Sequence, residues 1–223
     1  MRNLFLIIFL FLILPSLKSQ EEEDIPEDIK INMPRMSIRL NAGVPNPTSN
    51  QVFQKKFIGI YETNVALHIN LSERFFIGLG FKNGLMSITN YIQYGVNTKM
   101  QMNTAFVKIG YNHFHTSKIF STFYINGGYN KSMFTSVICP KGNPPDNHWE
   151  AVLIEPGYSI NFYAEDNLTL GFYTSFNYLN RTFDPQQVCL QDLTPLSGLS
   201  TSKNTTYINI GLEMYIGLGK KKK

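Results

Sequence analysis

The stretch Leu168 to Leu179, "LTLGFYTSFNYL", puts Leu168, Leu170, Phe172, Phe176 and Tyr178 on one parity and Thr169, Gly171, Tyr173, Ser175 and Asn177 on the other. Successive side chains of a strand point to opposite faces, so this segment reads as a strand with one apolar face and one uncharged polar face. A water-soluble barrel keeps its apolar side inward, whereas a barrel in a bilayer turns it outward. The rest of the chain decides between them.

Period-two runs bounded by turn residues give eight candidate strands: Met36 to Val44, Phe57 to Leu71, Arg74 to Ile88, Met102 to Tyr111, Ile119 to Met133, Trp149 to Tyr163, the opening stretch, and Tyr207 to Leu218. No helical period competes with them. The joins alternate in length. Ser72–Glu73, Asn112–Lys118 and Ala164–Asp166 are short, while Asn46–Lys56, Thr89–Gln101, Phe134–His148 and Asn180–Thr206 are long. Short turns at one end, long loops at the other and an even strand count are features of outer-membrane barrels.

The apolar parity recurs on every strand, for example as Ile38, Leu40 and Val44, as Val65, Leu67 and Ile69, and as Ile208, Ile210 and Leu212. The opposite parity carries Arg39, Glu62, Lys82, Lys108, Glu155 and Glu213, set among Gly, Ser, Thr, Asn and Tyr. A surface facing water carries charge at about 25–35% of positions. Three positive and three negative side chains spread over six strands instead suit a narrow interior, where opposite signs have to meet because an unpaired ion costs several kcal/mol. Eight strands leave a lumen just wide enough for side chains to fill. Phe106, Phe120, Tyr124, Tyr173 and Tyr215 share the inward parity and argue against an open channel. The fold class is therefore all-β, an eight-stranded antiparallel transmembrane up-and-down barrel with its apolar band toward lipid. Pro156 falls on the lipid-facing parity of the sixth strand, where a missing N–H predicts a bulge or irregularity.

The ends frame this domain. Arg2, the apolar run Leu4 to Leu14 and then Pro15, Ser16 and Ser19 read as a signal peptide over residues 1–19, since eleven apolar residues fall short of the roughly 20 a spanning helix needs. Residues 20–34 form an acidic leader containing "EEEDIPEDIK", residues 35–219 the barrel, and residues 220–223 a lysine tail. Removing Arg2 and Lys18 with the signal lowers the formal charge from +4 to +2, and Lys220 to Lys223 hold four of the remaining cations. No basic groove interleaved with aromatics is present, which excludes a nucleic-acid partner.

With signal peptide, strand count, loop asymmetry and the final strand "YINIGLEMYIGLG" in place, the chain resembles the small eight-stranded outer-membrane barrels of the OmpA/OmpX type, in particular the outer membrane protein beta-barrel domain group of Bacteroidota. The resemblance covers about Arg35 to Leu218. It implies residence in the outer membrane with both termini periplasmic, contact with outer-membrane lipid, and passage through the barrel assembly machinery, whose signal the final strand resembles. Such strands usually end on an aromatic residue, whereas this one runs past Leu218 and Gly219 into lysines.

Cys139 and Cys189 fall in two long loops at one rim, and an even pair in an exported chain reads as a disulfide. His113 and His115 flank Phe114 in a short turn; two imidazoles are too few for a metal site, and no metal ligand or cofactor is assigned. His68 faces the lumen, where Asn70 or a neighbouring strand would satisfy it. The same fold hosts lipid A palmitoyltransferases and deacylases that use His with Ser near the outer rim. His148 has no Ser partner at strand spacing, so no catalytic residue is assigned and the protein reads as a non-enzyme. The expected role is structural or interactive: stabilising the envelope, binding through loops, or serving as accessory subunit to an outer-membrane or periplasmic partner. A narrow porin for ions or small solutes is the alternative.

Overall fold

The computed structural model describes residues 33–49, 51–88, 98–136, 148–165, 167–183 and 204–218. Residues 1–19, Cys139, Cys189 and the lysines 220–223 lie outside them, and so does the disulfide expectation. Eight strands, β1 (Met36–Pro47), β2 (Phe57–Asn70), β3 (Phe75–Ile88), β4 (Thr98–Phe114), β5 (Ile119–Ser136), β6 (His148–Glu165), β7 (Leu168–Leu179) and β8 (Thr205–Leu218), pair in chain order. The β1–β8 pairing closes the barrel, and every pairing is antiparallel. The expected strands all form. Those around the third, fourth and fifth connections are longer than expected: β4 begins at Thr98, β5 reaches Ser136 and β6 spans His148–Glu165.

A walk through paired residues measures the tilt. From Asn103 it passes Asn83, Thr63, Ala42, Leu212, Phe172, Ile160 and Ser121 and returns to β4 at His113, ten residues further along. A stagger larger than the strand number means strongly inclined strands, within the roughly 35–45° range of transmembrane barrels. At one end, the turn side, the β2–β3 and β4–β5 turns share one device. Ser72 Oγ accepts from the amides of Arg74 and Phe75 at 3.3 and 3.0 Å, and Thr116 Oγ1 accepts from those of Lys118 and Ile119 at 3.2 and 3.1 Å. A hydroxyl that satisfies two turn amides fixes the hairpin register.

The two parities separate as read. On β7, Phe172 is 65% exposed and Tyr173 2%. The outward set Leu79, Val107, Ile125, Val152, Phe172, Ile210 and Leu212 continues this face around the barrel. Tyr61, Tyr129 and Tyr178 stand toward its loop-side edge. Toward the turn side, Phe75 meets Tyr111 and Phe123 meets Tyr158 with ring centroids 5.0 and 4.8 Å apart. An apolar band bounded by aromatic residues matches a hydrocarbon layer between two interfaces.

Three local features differ from the sequence reading. Across Pro156 the register is unchanged on both sides: it pairs with Ile125 on β5, and Ile154 and Gly157 keep one register with β7. Glu155 and Pro156 take no partner on β7, so the irregularity there is a two-residue gap in the ladder, without the register shift of a bulge. The register shifts lie instead at Gly59/Tyr61 and at Tyr163/Glu165. The first has a consequence for packing: the extra residue at Ile60 reverses the alternation, so Phe57 turns inward although it shares the parity of outward Tyr61 and Val65. Finally, the first long connection contains a short helix, α1 (Gln51–Lys56), which carries Phe53 to a fully buried position.

Candidate functional site in the lumen

Large inward rings are accommodated because glycine stands beside them in register. Phe76 pairs with Gly110, Phe106 with both Gly80 and Gly128, and Tyr124 with Gly157. A methyl carbon built on Gly110 would lie 2.2 Å from the Phe76 ring, and one on Gly157 would lie 2.2 Å from Tyr124. Each ring lies across neighbouring backbone where a side chain would otherwise stand. This interlock lets eight strands hold so many aromatics in one lumen.

Along its axis the lumen is layered. At the loop end an apolar cluster gathers Phe53, Phe57, Phe134, Trp149, Phe183 and Tyr207, together with Met86, Met100 and Met102. Phe183 joins Phe53, Phe57 and Phe134 with ring centroids 5.7, 5.1 and 5.9 Å away. This plug was missed by the parity argument, although a signal exists: in "AVLIEP", residues 151–156, both parities are apolar before Glu155.

Beyond the plug lies an acid-rich set. Lys82 Nζ bridges Glu62 Oε1 at 3.1 Å and Glu155 Oε2 at 2.7 Å, and donates to Asn177 Oδ1 at 2.9 Å. Neutral donors complete both carboxylates. Tyr207 OH and Asn209 Nδ2 donate to Glu62 at 2.8 and 2.6 Å, and Asn126 Nδ2 donates to Glu155 at 2.7 Å. Toward the turn side, Arg39 Nη1 pairs with Glu213 Oε1 at 3.2 Å, and that carboxylate also accepts from Asn41 Nδ2 and Ser159 Oγ, each at 3.1 Å. The Arg39 guanidinium carbon lies 4.7 Å from the Phe76 ring centroid and 5.0 Å from that of Tyr215. Opposite charges and polar hydrogens thus surround every buried carboxylate, as a low-dielectric interior demands.

All six charged residues singled out from the sequence are buried in the lumen. Five of them pair. Lys108 departs from the expected pairing: its Nζ has no hydrogen-bond partner among the described residues and lies 4.1 Å from the Tyr124 ring centroid. The reason is competition, because Glu213 is held by Arg39, Asn41 and Ser159 while Glu155 is held by Lys82 and Asn126. His68 also departs from its expected partner. Its ring stacks on Phe76 with centroids 4.6 Å apart, and neither nitrogen has a hydrogen-bond partner among the described residues. The Asn70 amide expected to satisfy it donates instead to the Pro34 carbonyl at 2.6 Å and to Tyr215 OH at 3.3 Å.

That Pro34 contact closes the turn-side mouth. Pro34 is buried, and Met33 Sδ accepts from Tyr163 OH at 3.1 Å. The segment before β1 thereby reaches β6 across the barrel. Outside the lumen, His113 and His115 meet edge to face with centroids 4.8 Å apart, and His115 Nε2 lies 2.7 Å from Ser121 Oγ. His148 is exposed at the start of β6. No group of three or more His, Cys, Asp or Glu side chains suited to a metal ion occurs among the described residues.

No protein-family model matches the sequence, and no curated relative does. Solved structures do match. Neisserial surface protein A superposes with a TM-score of 0.52 at 10% identity, over 82% of this chain and 97% of that one. A major outer membrane protein from Thermus thermophilus gives 0.49 at 11% identity, over 81% and 99%. Ail, the attachment invasion locus protein of Yersinia pestis, gives 0.48 at 8% identity, over 82% and 98%. At such identities the likeness is one of fold. Closed topology, apolar outer wall and side-chain-filled lumen together give this chain the fold of the small eight-stranded outer-membrane barrels.

Proposed function

We propose that the protein is an integral barrel of the bacterial outer membrane that works through its wall and loops, with a structural or interaction role. The observation that carries this reading is the closure of the lumen. An apolar plug, two charged sets and the Met33–Pro34 crossing succeed one another along the axis. Solute passage would require dismantling several layers, which disfavours the narrow porin. In the proposed orientation the short turns and both termini face the periplasm, and the four long connections face outward. Outer-membrane lipid covers the band that includes Leu79, Phe172 and Leu212, and the barrel assembly machinery inserts the chain. The lasting partner is another outer-membrane or periplasmic protein, which makes this chain an accessory or envelope-stabilising subunit.

Two measurements test the proposal together. Gentle-detergent purification followed by mass spectrometry should recover a stoichiometric envelope protein, and planar bilayers holding the purified barrel should remain silent. A reproducible open channel, or a chain recovered as a detergent-free soluble monomer, would overturn it.

A further inference from the structure

The six lumen charges sum to zero, yet they are unevenly placed. Around Lys82 there are two carboxylates for one cation, while around Glu213 there are two cations, Arg39 and Lys108, for one carboxylate. The acid excess is dressed by the protein itself through Tyr207, Asn209 and Asn126. The cation excess is not. Lys108 is fully buried, its Nζ has no acceptor among the described residues, and its nearest neighbour of note is the π face of Tyr124.

Register places further nitrogen beside it. Lys108 pairs with Gly78, Gly78 with His68 and His68 with Ser37, so on the inner wall only a residue without a side chain separates Lys108 from the imidazole. His68 and Arg39 both lie on the Phe76 ring, at 4.6 and 4.7 Å. Arg39 Nε, both nitrogens of His68 and Ser37 Oγ are buried without hydrogen-bond partners among the described residues, like Lys108 Nζ. A ring face offsets part of the cost of burying an ammonium but accepts none of its directed N–H bonds. Burying a cation without a counter-charge is otherwise expensive.

From this we infer that the turn-side half of the lumen is a binding site for one small monovalent anion of halide size, held by Lys108 with Arg39 and His68 as the flanking nitrogen groups. Asn126, the β5 neighbour of Lys108, turns its amide toward Glu155, and its Oδ1 is likewise without a hydrogen-bond partner among the described residues. A water alone would satisfy single N–H groups and leave the positive charge in place. A multivalent oxyanion would bring more negative charge than a surplus of one cation balances. This site is independent of the barrel's biological role.

The test uses the full chain folded in detergent, with bromide, chloride or gluconate at constant ionic strength. Thermal unfolding should occur at higher temperature in bromide or chloride than in gluconate. Lys108→Met should abolish that shift, and Lys99→Met, at an exposed position on β4, should retain it. Crystals grown in bromide should show an anomalous peak within hydrogen-bonding distance of Lys108 Nζ, a readout that stands even if Lys108→Met fails to fold. Equal unfolding temperatures in all three salts, a halide shift that survives in Lys108→Met, or bromide found only on the outer surface would each overturn the assignment.

Discussion

The two ends of the lumen use different means to exclude water. At the loop end, rings and methionines from β2–β6, β8, α1 and Phe183 pack against one another with few polar atoms to satisfy. Deeper in, charged and amide side chains stand among rings seated on glycines, and closure depends on those charges and amides finding partners across the barrel. Close packing is tolerant of chemistry but sensitive to volume, whereas a buried ionic network is sensitive to losing one member. The same barrel therefore has two modes of failure, and substitutions can tell them apart.

The largest effects should come from one residue in each region. Glu213→Leu leaves Arg39 buried without its carboxylate, at a cost of about 3–5 kcal/mol. Trp149→Ala empties part of the plug at a similar cost of about 3–5 kcal/mol. Both should lower the temperature at which the folded, fast-migrating gel band is lost. Conservative replacements then separate them: Trp149→Phe should recover most of the loss, while Glu213→Gln should recover little because the counter-charge is still missing. Equal rescue by both would remove the distinction between the two regions.

On the outer wall, Leu212→Lys should cost about 2–4 kcal/mol if the site lies near the bilayer midplane. Its loss should be smaller in a thin or strongly hydrated detergent micelle than in lipid bilayers, a comparison that the lumen variants should not show. Next comes the ring–glycine interlock. A methyl at Gly80 would stand 2.4 Å from the Phe106 ring and 2.7 Å from the Val65 carbonyl oxygen. Gly80→Ala should therefore cost about 1–3 kcal/mol through overpacking, read from the same unfolding transition. Phe106→Leu in the same chain should return part of that loss by making room.

The smallest effect should fall on Lys108. Because no carboxylate is paired with it, Lys108→Met in halide-free buffer removes a buried charge without orphaning a partner, and stability should stay level or rise. A loss as large as that of Glu213→Leu would show that Lys108 is paired after all. Measured beside Glu213→Leu, this variant sorts lumen cations into those the protein compensates and those it does not.

Strand number, antiparallel order, loop asymmetry and the lipid-facing parity were legible from the amino acids, because alternation with a period of two is a local property of each segment. "LTLGFYTSFNYL" alone separates Phe172 from Tyr173. The inward placement of Arg39, Glu62, Lys82, Lys108, Glu155 and Glu213 followed from the same parity. Parity could not carry across the extra residue at Ile60, so inward Phe57 was hidden. The short helix that brings Phe53 to the mouth has too few residues to show a period.

The partners inside the barrel were not legible, for a physical reason. Which face a residue occupies is set by its own strand, but which residue it meets depends on the stagger accumulated over eight pairings. A ten-residue shift around the barrel brings Lys82 to Glu155 and, where β8 closes on β1, gives Glu213 to Arg39. The sequence by itself determined a closed barrel with an apolar outside and a polar, sparsely charged inside. Only the tertiary structure decided that five of those charges are matched and Lys108 is not, because carboxylates are few and each is already held by other donors.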